Sequence, residues 1–481
     1  MAYEIVIGLE IHVELNTRSK MFCGCPVTFG EVPNTAVCPV CLGHPGVLPV
    51  VNAQAVEAAA LIGLSLNCAI APNNEFARKN YFYPDMPKDY QISQFDLPIA
   101  IGGYLDVGDR GQTRRIGITR VHMEEDTGKL IHKGATGRIH GADRSVVDFN
   151  RAGVPLMEIV SEPDMRTATE ARAFLVKLRS ILLALGVSNC NMEEGSLRCD
   201  ANVSLREFGD TELGVKTEVK NMNSFKALQR ALEYEVERQT SLLTHGERVI
   251  QETRHWDDAG GATTSMRSKE EAHDYRYFPD PDLVAIVMDP AEVERLRAGL
   301  PELPDARAER LGREFGLSDD DAKILALNKP LGDFLEETVA GGADAGKAAN
   351  WLLHELAAEL NRTDTEIEDA AFTPRHLIDL LQLIDAGTIS GKMAKEIFKT
   401  SFATGRLPAA IVKETGNVQI TDTDALGKIV DEVLAANPQA IEDLKNGQER
   451  AIGFLVGQIM RLTQGKASPD AVNKLIRAKL R

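Results

Sequence analysis

An α+β chain is predicted: a first part whose mixed or antiparallel sheet shares its core with helices, then an all-helical part, then a small helical tail. Three observations predict it. Up to about residue 290, short runs alternate apolar and polar residues between Gly, Pro, Asn and Asp, the pattern of half-buried strands. Two helical periodicities interrupt those runs. Beyond about residue 293 the alternation gives way to helical spacing, and Pro/Gly punctuation places the divisions at 1–292, 293–405 and 406–481.

The clearest strand spans residues 5–15. Ile5, Ile7, Leu9, Ile11, Val13 and Leu15 share one face, while Gly8, Glu10, His12 and Glu14 share the other, because strand side chains repeat every two residues. Residues 197–205 divide the same way, with Leu197, Cys199, Ala201, Val203 and Leu205 opposing Arg198, Asp200, Asn202 and Ser204. A helix over 167–185 opens on a Thr-x-x-Glu capping box, Thr167 and Glu170, and stops at Gly186; a second, over 224–243, follows Asn223. In the helical part, Thr373 and Pro374 start a helix that closes at Gly387, Ser390 starts one that closes at Gly405, and Ser468 with Pro469 starts the last.

The 481 residues suggest roughly three domains. With 26% charged and 43% hydrophobic residues, wholesale disorder, collagen and coiled-coil rods are excluded. The formal charge of −17 argues against polyanion binding by the whole surface, though not by a local basic face. No run approaches the roughly 20 apolar residues of a membrane span, and Met1-Ala2-Tyr3-Glu4 has an acid where a secretory peptide needs cations. The expectation is a cytoplasmic protein without membrane contact.

Seven cysteines without a secretion signal make a disulfide framework improbable. Cys23-Gly24-Cys25 and Cys38-Pro39-Val40-Cys41 instead form C-x-C and C-x-x-C pairs. Two tight knuckles presenting two sulfurs each suit tetrahedral zinc, and four protein ligands make such a site structural. Cys68, Cys190 and Cys199 stand alone and are expected to be buried.

Glu10, His12 and Glu14 on one strand face offer oxygen and imidazole ligands to a divalent cation, although on these three residues alone a solvated sheet face is the preferred reading. A second acidic knot, His122-Met123-Glu124-Glu125-Asp126, and the carboxylates Asp200 and Glu218 strengthen the metal reading, since converging carboxylates repel unless cations neutralise them. Alternation sends Glu124 and Glu125 to opposite faces without saying which points inward. Arg78, Lys79 and Lys88 bracket the aromatic segment Asn80-Tyr81-Phe82-Tyr83-Pro84, and Tyr275-Arg276-Tyr277-Phe278 forms a second cluster; both suit base stacking or ordinary hairpin packing.

Gly341 to Lys347 matches G-x-x-x-x-G-K, but Ala348 replaces the metal-binding Ser or Thr and a helical pattern precedes it, so it is a false P-loop. There is no G-x-S-x-G elbow or dinucleotide fingerprint. From Arg461 onward six basic residues face one acid, Asp470, a local surplus suited to phosphate backbones.

Several segments resemble the B-subunit family of bacterial aspartyl/glutamyl-tRNA amidotransferases: Gly8-Leu9-Glu10-Ile11-His12-Val13-Glu14-Leu15, Ala77 through Asp85, Glu124 through Lys129, Lys220 through Phe225, His273 through Pro279, and the tail Gly465 through Leu475. The likeness covers essentially the full length. It implies a glutamine-synthetase-like cradle, a helical domain and a small YqeY-like helical tail that contacts tRNA. The implied reaction phosphorylates, with ATP, the side-chain carboxylate of Glu-tRNA(Gln) or Asp-tRNA(Asn); ammonia then displaces phosphate. The ammonia comes through a channel from the A-subunit amidase, a glutaminase, and with a small C-subunit protein the three chains form a heterotrimer.

By the same resemblance, Glu10, His12 and Glu125 are magnesium ligands, joined by Glu124 and Asp200. Glu125, Lys79, Glu10 and His12 are then the catalytic residues, Lys79 and Glu125 forming a channel-exit pair. Cys23, Cys25, Cys38 and Cys41 hold structural zinc, and Lys466, Lys474, Arg477 and Lys479 contact tRNA. Two other readings stand beside this one: a noncatalytic tRNA-binding scaffold in the same complex, and a free-standing ammonia ligase acting on a small acid.

Overall fold

The structure, a computed structural model, describes residues 3–109, 112–134, 142–266, 275–416, 418–419, 423–445, 450–463 and 466–480. His273, Asp274, Gly465, Arg481 and the side chain of Asp470, which entered the sequence reading, lie outside the described residues. The chain forms two compact units, Met1–Pro304 and Asp305–Arg481.

The first unit carries the sheet. Its strands, in chain order, are β1 (Tyr3–Glu14), β2 (Ala69–Ile70), β3 (Asn73–Asn74), β4 (Ala77–Asn80), β5 (Tyr90–Ser93), β6 (Ala100–Asp109), β7 (Gln112–Glu125) and β8 (Lys129–Gly134). There follow β9 (Ala142–Asp148), β10 (Pro155–Ser161), β11 (Leu197–Glu207), β12 (Thr217–Lys220), β13 (Glu252–Asp257), β14 (Ala262–Ser265), β15 (Phe278–Pro279) and β16 (Ile286–Val287). Among the described residues, twelve of these make one sheet whose main path runs β14-β13-β12-β11-β1-β10-β7-β5-β4-β15. β1 pairs antiparallel with both β10 and β11, whereas β12 and β13 are parallel, so the sheet is mixed as predicted.

β1 lies at the centre of this path because its apolar face is continuous. Ile7, Leu9, Ile11, Val13 and Leu15 are each at most 1% exposed, and burial of such a side chain contributes about 1.5–3 kcal/mol. Helices α1 (Ala53–Ser65), α2 (Ala168–Leu185) and α3 (Phe225–Thr244) cover this face, contributing Ile62, Phe174, Leu178 and Leu228 to the same core. α2 begins and ends where the sequence places it: the Thr167 hydroxyl accepts the Glu170 N–H, and Gly186 closes the helix with φ +69°. With one face committed to helices, the ionisable residues of β1, β7, β10 and β11 gather on the other.

The second unit is helical. Phe372 sits in its core with Phe334 stacked at 6.4 Å and Phe398 edge-on at 5.0 Å. Helices Pro374–Asp385 and Gly391–Thr404 start at Thr373 and Ser390; φ is +66° at Gly387 and +64° at the capping Gly405. The false P-loop follows the helix Lys329–Ala340, not a strand. A separate apolar cluster of Leu426, Val430, Leu455, Ile459, Val472 and Ile476 joins the helices of the tail. Among the described residues no helix is long and apolar enough to cross a membrane.

Candidate active site

Strand register assembles the polar face. In the antiparallel ladders His12 of β1 lies opposite Glu158 of β10, and Glu158 lies opposite His122 of β7, so three side chains from distant sequence positions form one row. His12 Nε2 is 3.4 Å from Glu158 Oε2, and His122 Nε2 is 3.6 Å from the same oxygen. Glu124, two residues along β7, brings its carboxylate to 3.7 Å from His12 Nε2, and Glu10 reaches 4.0 Å. Two sets, Glu10–His12–Glu158 and His122–Glu124–Glu158, each hold their ligand atoms within 4.8 Å of one another, and they share Glu158.

The carboxylates of this cluster repel one another. Burial and then the neighbouring Glu158 push Glu124 up to about 7 and also raise Glu10. Burial opposes charge on His12, yet its hydrogen bond to Glu158 and the charge of Glu124 raise it to about 9. His122 goes the other way: burial holds it down to about 4, and its Nδ1 is enclosed without a hydrogen-bond partner among the described residues. Oxygen-rich donor sets of this kind suit a hard divalent cation, which would relieve the carboxylate repulsion.

Cations ring the cluster. Lys220 Nζ is 2.5 Å from Asp200, which lies opposite Glu10 in the β1–β11 ladder. Arg198 donates to Asp126 at 2.5 Å, and Arg120 stands 3.4 Å from Glu158. Lys79 lies 4.9 Å from the centre of the Tyr275 ring, and the charges of Glu124 and Glu158 outweigh burial to raise its value. The two aromatic segments meet here. Asn80 donates to the Tyr275 and Arg276 carbonyls at 2.9 Å each, β15 pairs with β4, and Phe95 stacks on Tyr277 at 4.2 Å.

Glu125 does not join Glu10 and His12. It shares strand parity with Val121 and Met123, which are wholly buried in the helix-covered core, so its carboxylate leaves β7 on the face opposite Glu124. There it pairs with Lys88 and accepts the Ile92 N–H at 2.9 Å. The pairing expected between Lys79 and Glu125 is therefore replaced: Glu124 and Glu158 supply the charges that raise Lys79, and Glu125 takes Lys88. Glu125 and Lys88 line a small pocket with Phe22, Cys23, Cys41 and Tyr90.

Glu158 and His122 complete the site, and neither was assigned a role from sequence. His122 stood in the acidic knot. Glu158 lies in the run Pro155–Ser161, where it is one carboxylate among buried apolar residues, an anomaly that could have marked it.

Cys23, Cys25, Cys38 and Cys41 converge with their sulfurs within 4.8 Å of one another. Cys38 and Cys41 sulfurs are 3.9 Å apart, close to the ~3.8 Å edge of a tetrahedron with zinc–sulfur bonds of about 2.3 Å. The hydrogen bond from the Cys23 thiol holds Cys41 down to about 4 and raises Cys23. The donor set fits a metal with four thiolate ligands. Cys68, Cys190 and Cys199 are buried, as expected.

In the tail helix Pro469–Lys479, Val472 and Ile476 face the core, while Lys474, Arg477 and Lys479 are exposed on the other side. Lys466 is half-buried just before the helix. Lys479 is engaged locally, 2.5 Å from Asp431 and 3.1 Å from the Gly427 carbonyl, and Arg477 donates to Asn473 at 3.1 Å.

Comparison with known proteins gives two family matches: the GatB/GatE catalytic domain over residues 5–294 and the GatB domain over 333–480. The chain is similar over its whole length to proteins named as the B subunit of aspartyl/glutamyl-tRNA(Asn/Gln) amidotransferase. That of Moorella thermoacetica is 58% identical over 480 residues, covering 100% of each chain. That of Carboxydothermus hydrogenoformans is 56% identical over 478 residues, 99% of each. That of Geobacter sulfurreducens is 53% identical over 481 residues, 100% of each.

Proposed function

The chain belongs to the B-subunit family of aspartyl/glutamyl-tRNA(Asn/Gln) amidotransferases, and on that premise we propose that it activates and amidates the misacylated aminoacyl group. The substrates are Glu-tRNA(Gln), Asp-tRNA(Asn) or both, with ATP consumed. An amidase chain supplies ammonia from glutamine, and a third, small chain completes the assembly. The observation that carries the reading is the convergence of Glu10, His12, Glu124 and Glu158, with His122, on one sheet face.

A carboxylate is a poor acyl donor, because its charge repels nucleophiles and its leaving group would be oxide; phosphorylation provides a competent leaving group. Glu10, His12 and Glu158, with Glu124, His122 and Asp200 beside them, would hold magnesium, which would supply charge neutralisation for triphosphate and acyl phosphate. Lys79, Arg120, Arg198 and Lys220 add fixed positive charge around the same face and orient anionic groups toward it. The aromatic rings of Phe95, Tyr275 and Tyr277 line its edge.

On the far face, Glu125 and Lys88 offer an acid–base pair in a largely apolar pocket, where ammonium can surrender its extra proton to a carboxylate before attack. The four cysteines hold structural zinc. From residue 406 the chain forms the tRNA-contacting tail, with Lys466, Lys474 and Arg477 toward phosphates and Lys479 bracing the helix.

The test uses the assembled complex. Glu124→Gln should abolish ATP hydrolysis dependent on misacylated tRNA while tRNA affinity persists. Unchanged amide formation by that variant would overturn the reading in favour of a noncatalytic scaffold.

A further inference from the structure

Lys20 follows the strand-side turn that leads into the first cysteine pair, and it is 0% exposed. Its Nζ lies 3.8 Å from the Cys41 sulfur and 3.3 Å from the Phe149 carbonyl oxygen. Among the described residues no carboxylate is paired with it. A lysine withdrawn from water in this way keeps its charge at the lowest cost beside an anion. The anion the geometry offers is sulfur.

Four thiolates around one divalent ion carry a net charge of −2, and Cys41 is the buried member of the four. A neighbouring ammonium returns one positive charge where it is most needed. The backbone closes over this contact. The Met21 N–H donates to the Gly153 carbonyl at 2.8 Å, and Gly153 adopts φ +86°. The 149–153 loop lies against both side chains: a Cβ at Gly153 would be in ordinary contact with Cys41 Cβ at 3.5 Å and Lys20 Cδ at 3.6 Å, and it is the positive φ that favours glycine there.

We propose that Lys20 is a positioning residue of the four-cysteine metal centre: its ammonium holds the Cys41 sulfur in ligating orientation, balances the thiolate charge, and ties the centre to the loop at Phe149. The proposal rests on the reading of these cysteines as a zinc site. Outer partners of metal ligands typically change metal affinity about 10–100-fold when removed.

The full chain is purified as wild type, Lys20→Met and Lys20→Arg, and zinc affinity is measured by competition with a chromophoric chelator. Cobalt substitution reports the thiolate-to-metal absorption band. Lys20→Met should lose affinity about 10–100-fold, and Lys20→Arg should restore most of it. Wild-type affinity in Lys20→Met overturns the proposal. If Lys20→Met folds poorly, a cycle with Cys41→Ser decides. Lys20→Met should lower the melting temperature in the wild-type background and lower it less, or raise it, in Cys41→Ser, because the buried ammonium has lost its thiolate. Equal losses in both backgrounds overturn it. A wild-type chain that takes up no zinc would instead overturn the zinc reading, a result distinct from a defect confined to Lys20→Met.

Discussion

Glu124 and Glu125 are consecutive, yet their carboxylates leave β7 on opposite sides: Glu124 stands 3.7 Å from His12 Nε2, and Glu125 is paired with Lys88 against the helix-covered core. The relationship divides the chemistry of the acidic knot between two compartments. It follows from the two-residue period of a strand once one face is committed to packing.

The division predicts distinct phenotypes. In the assembled complex, Glu125→Gln should keep ATP hydrolysis dependent on misacylated tRNA while glutamine-dependent amide formation falls, since its carboxylate does not touch the His12 cluster. Loss of both activities together would place Glu125 at the phosphorylation site after all. Lys88→Met, which leaves a buried carboxylate unpaired, should destabilise the first unit by about 3–5 kcal/mol, the usual result of breaking a buried pair. Thermal unfolding checks it.

Glu158 is predicted to be the most sensitive carboxylate, because both donor sets share it. Glu158→Gln should lower amide formation at least ~100-fold, past the range seen for outer partners of metal ligands. Asp200→Asn should do less, because Asp200 is already engaged by Lys220. Titrating activity against magnesium for both variants tests the order; a stronger defect in Asp200→Asn would reverse it.

Glu14 gives a pH dependence. Burial and then the charge of Asp126 raise it from 4.5 to about 8. The folded chain therefore retains a proton that the unfolded chain releases between those values, and stability falls as pH rises through that window. Below it the contribution is constant, and above it the full penalty remains. Glu14→Gln should flatten the decline in melting temperature between about pH 5 and the folded value of about 8. An identical slope in the variant would remove Glu14 as its source.

The tail residues should separate as well. Lys474→Ala with Arg477→Ala should weaken tRNA binding and reduce the slope of log affinity against log salt by somewhat under ~1 for each phosphate no longer neutralised. Lys479→Ala should mainly lower tail stability, because Lys479 is bound to Asp431 and Gly427. Filter binding at several salt concentrations distinguishes the two.

The amino-acid sequence by itself determined the local elements and the chemistry they carry. Alternation over residues 9–15 set which side chains along β1 are buried, Thr167 and Gly186 bounded α2, and the cysteine spacing defined the paired knuckles, because these depend on neighbours a few residues away. Register and pairing were decided only in three dimensions. That His12 meets Glu158 from a distant stretch of chain, that Lys79 lies under the charges of Glu124 and Glu158 rather than of Glu125, and that Lys20 finds Cys41 all depend on which strands become neighbours. A two-residue period fixes a pair of faces; only the helices packed on one of them decide which face is left to do chemistry.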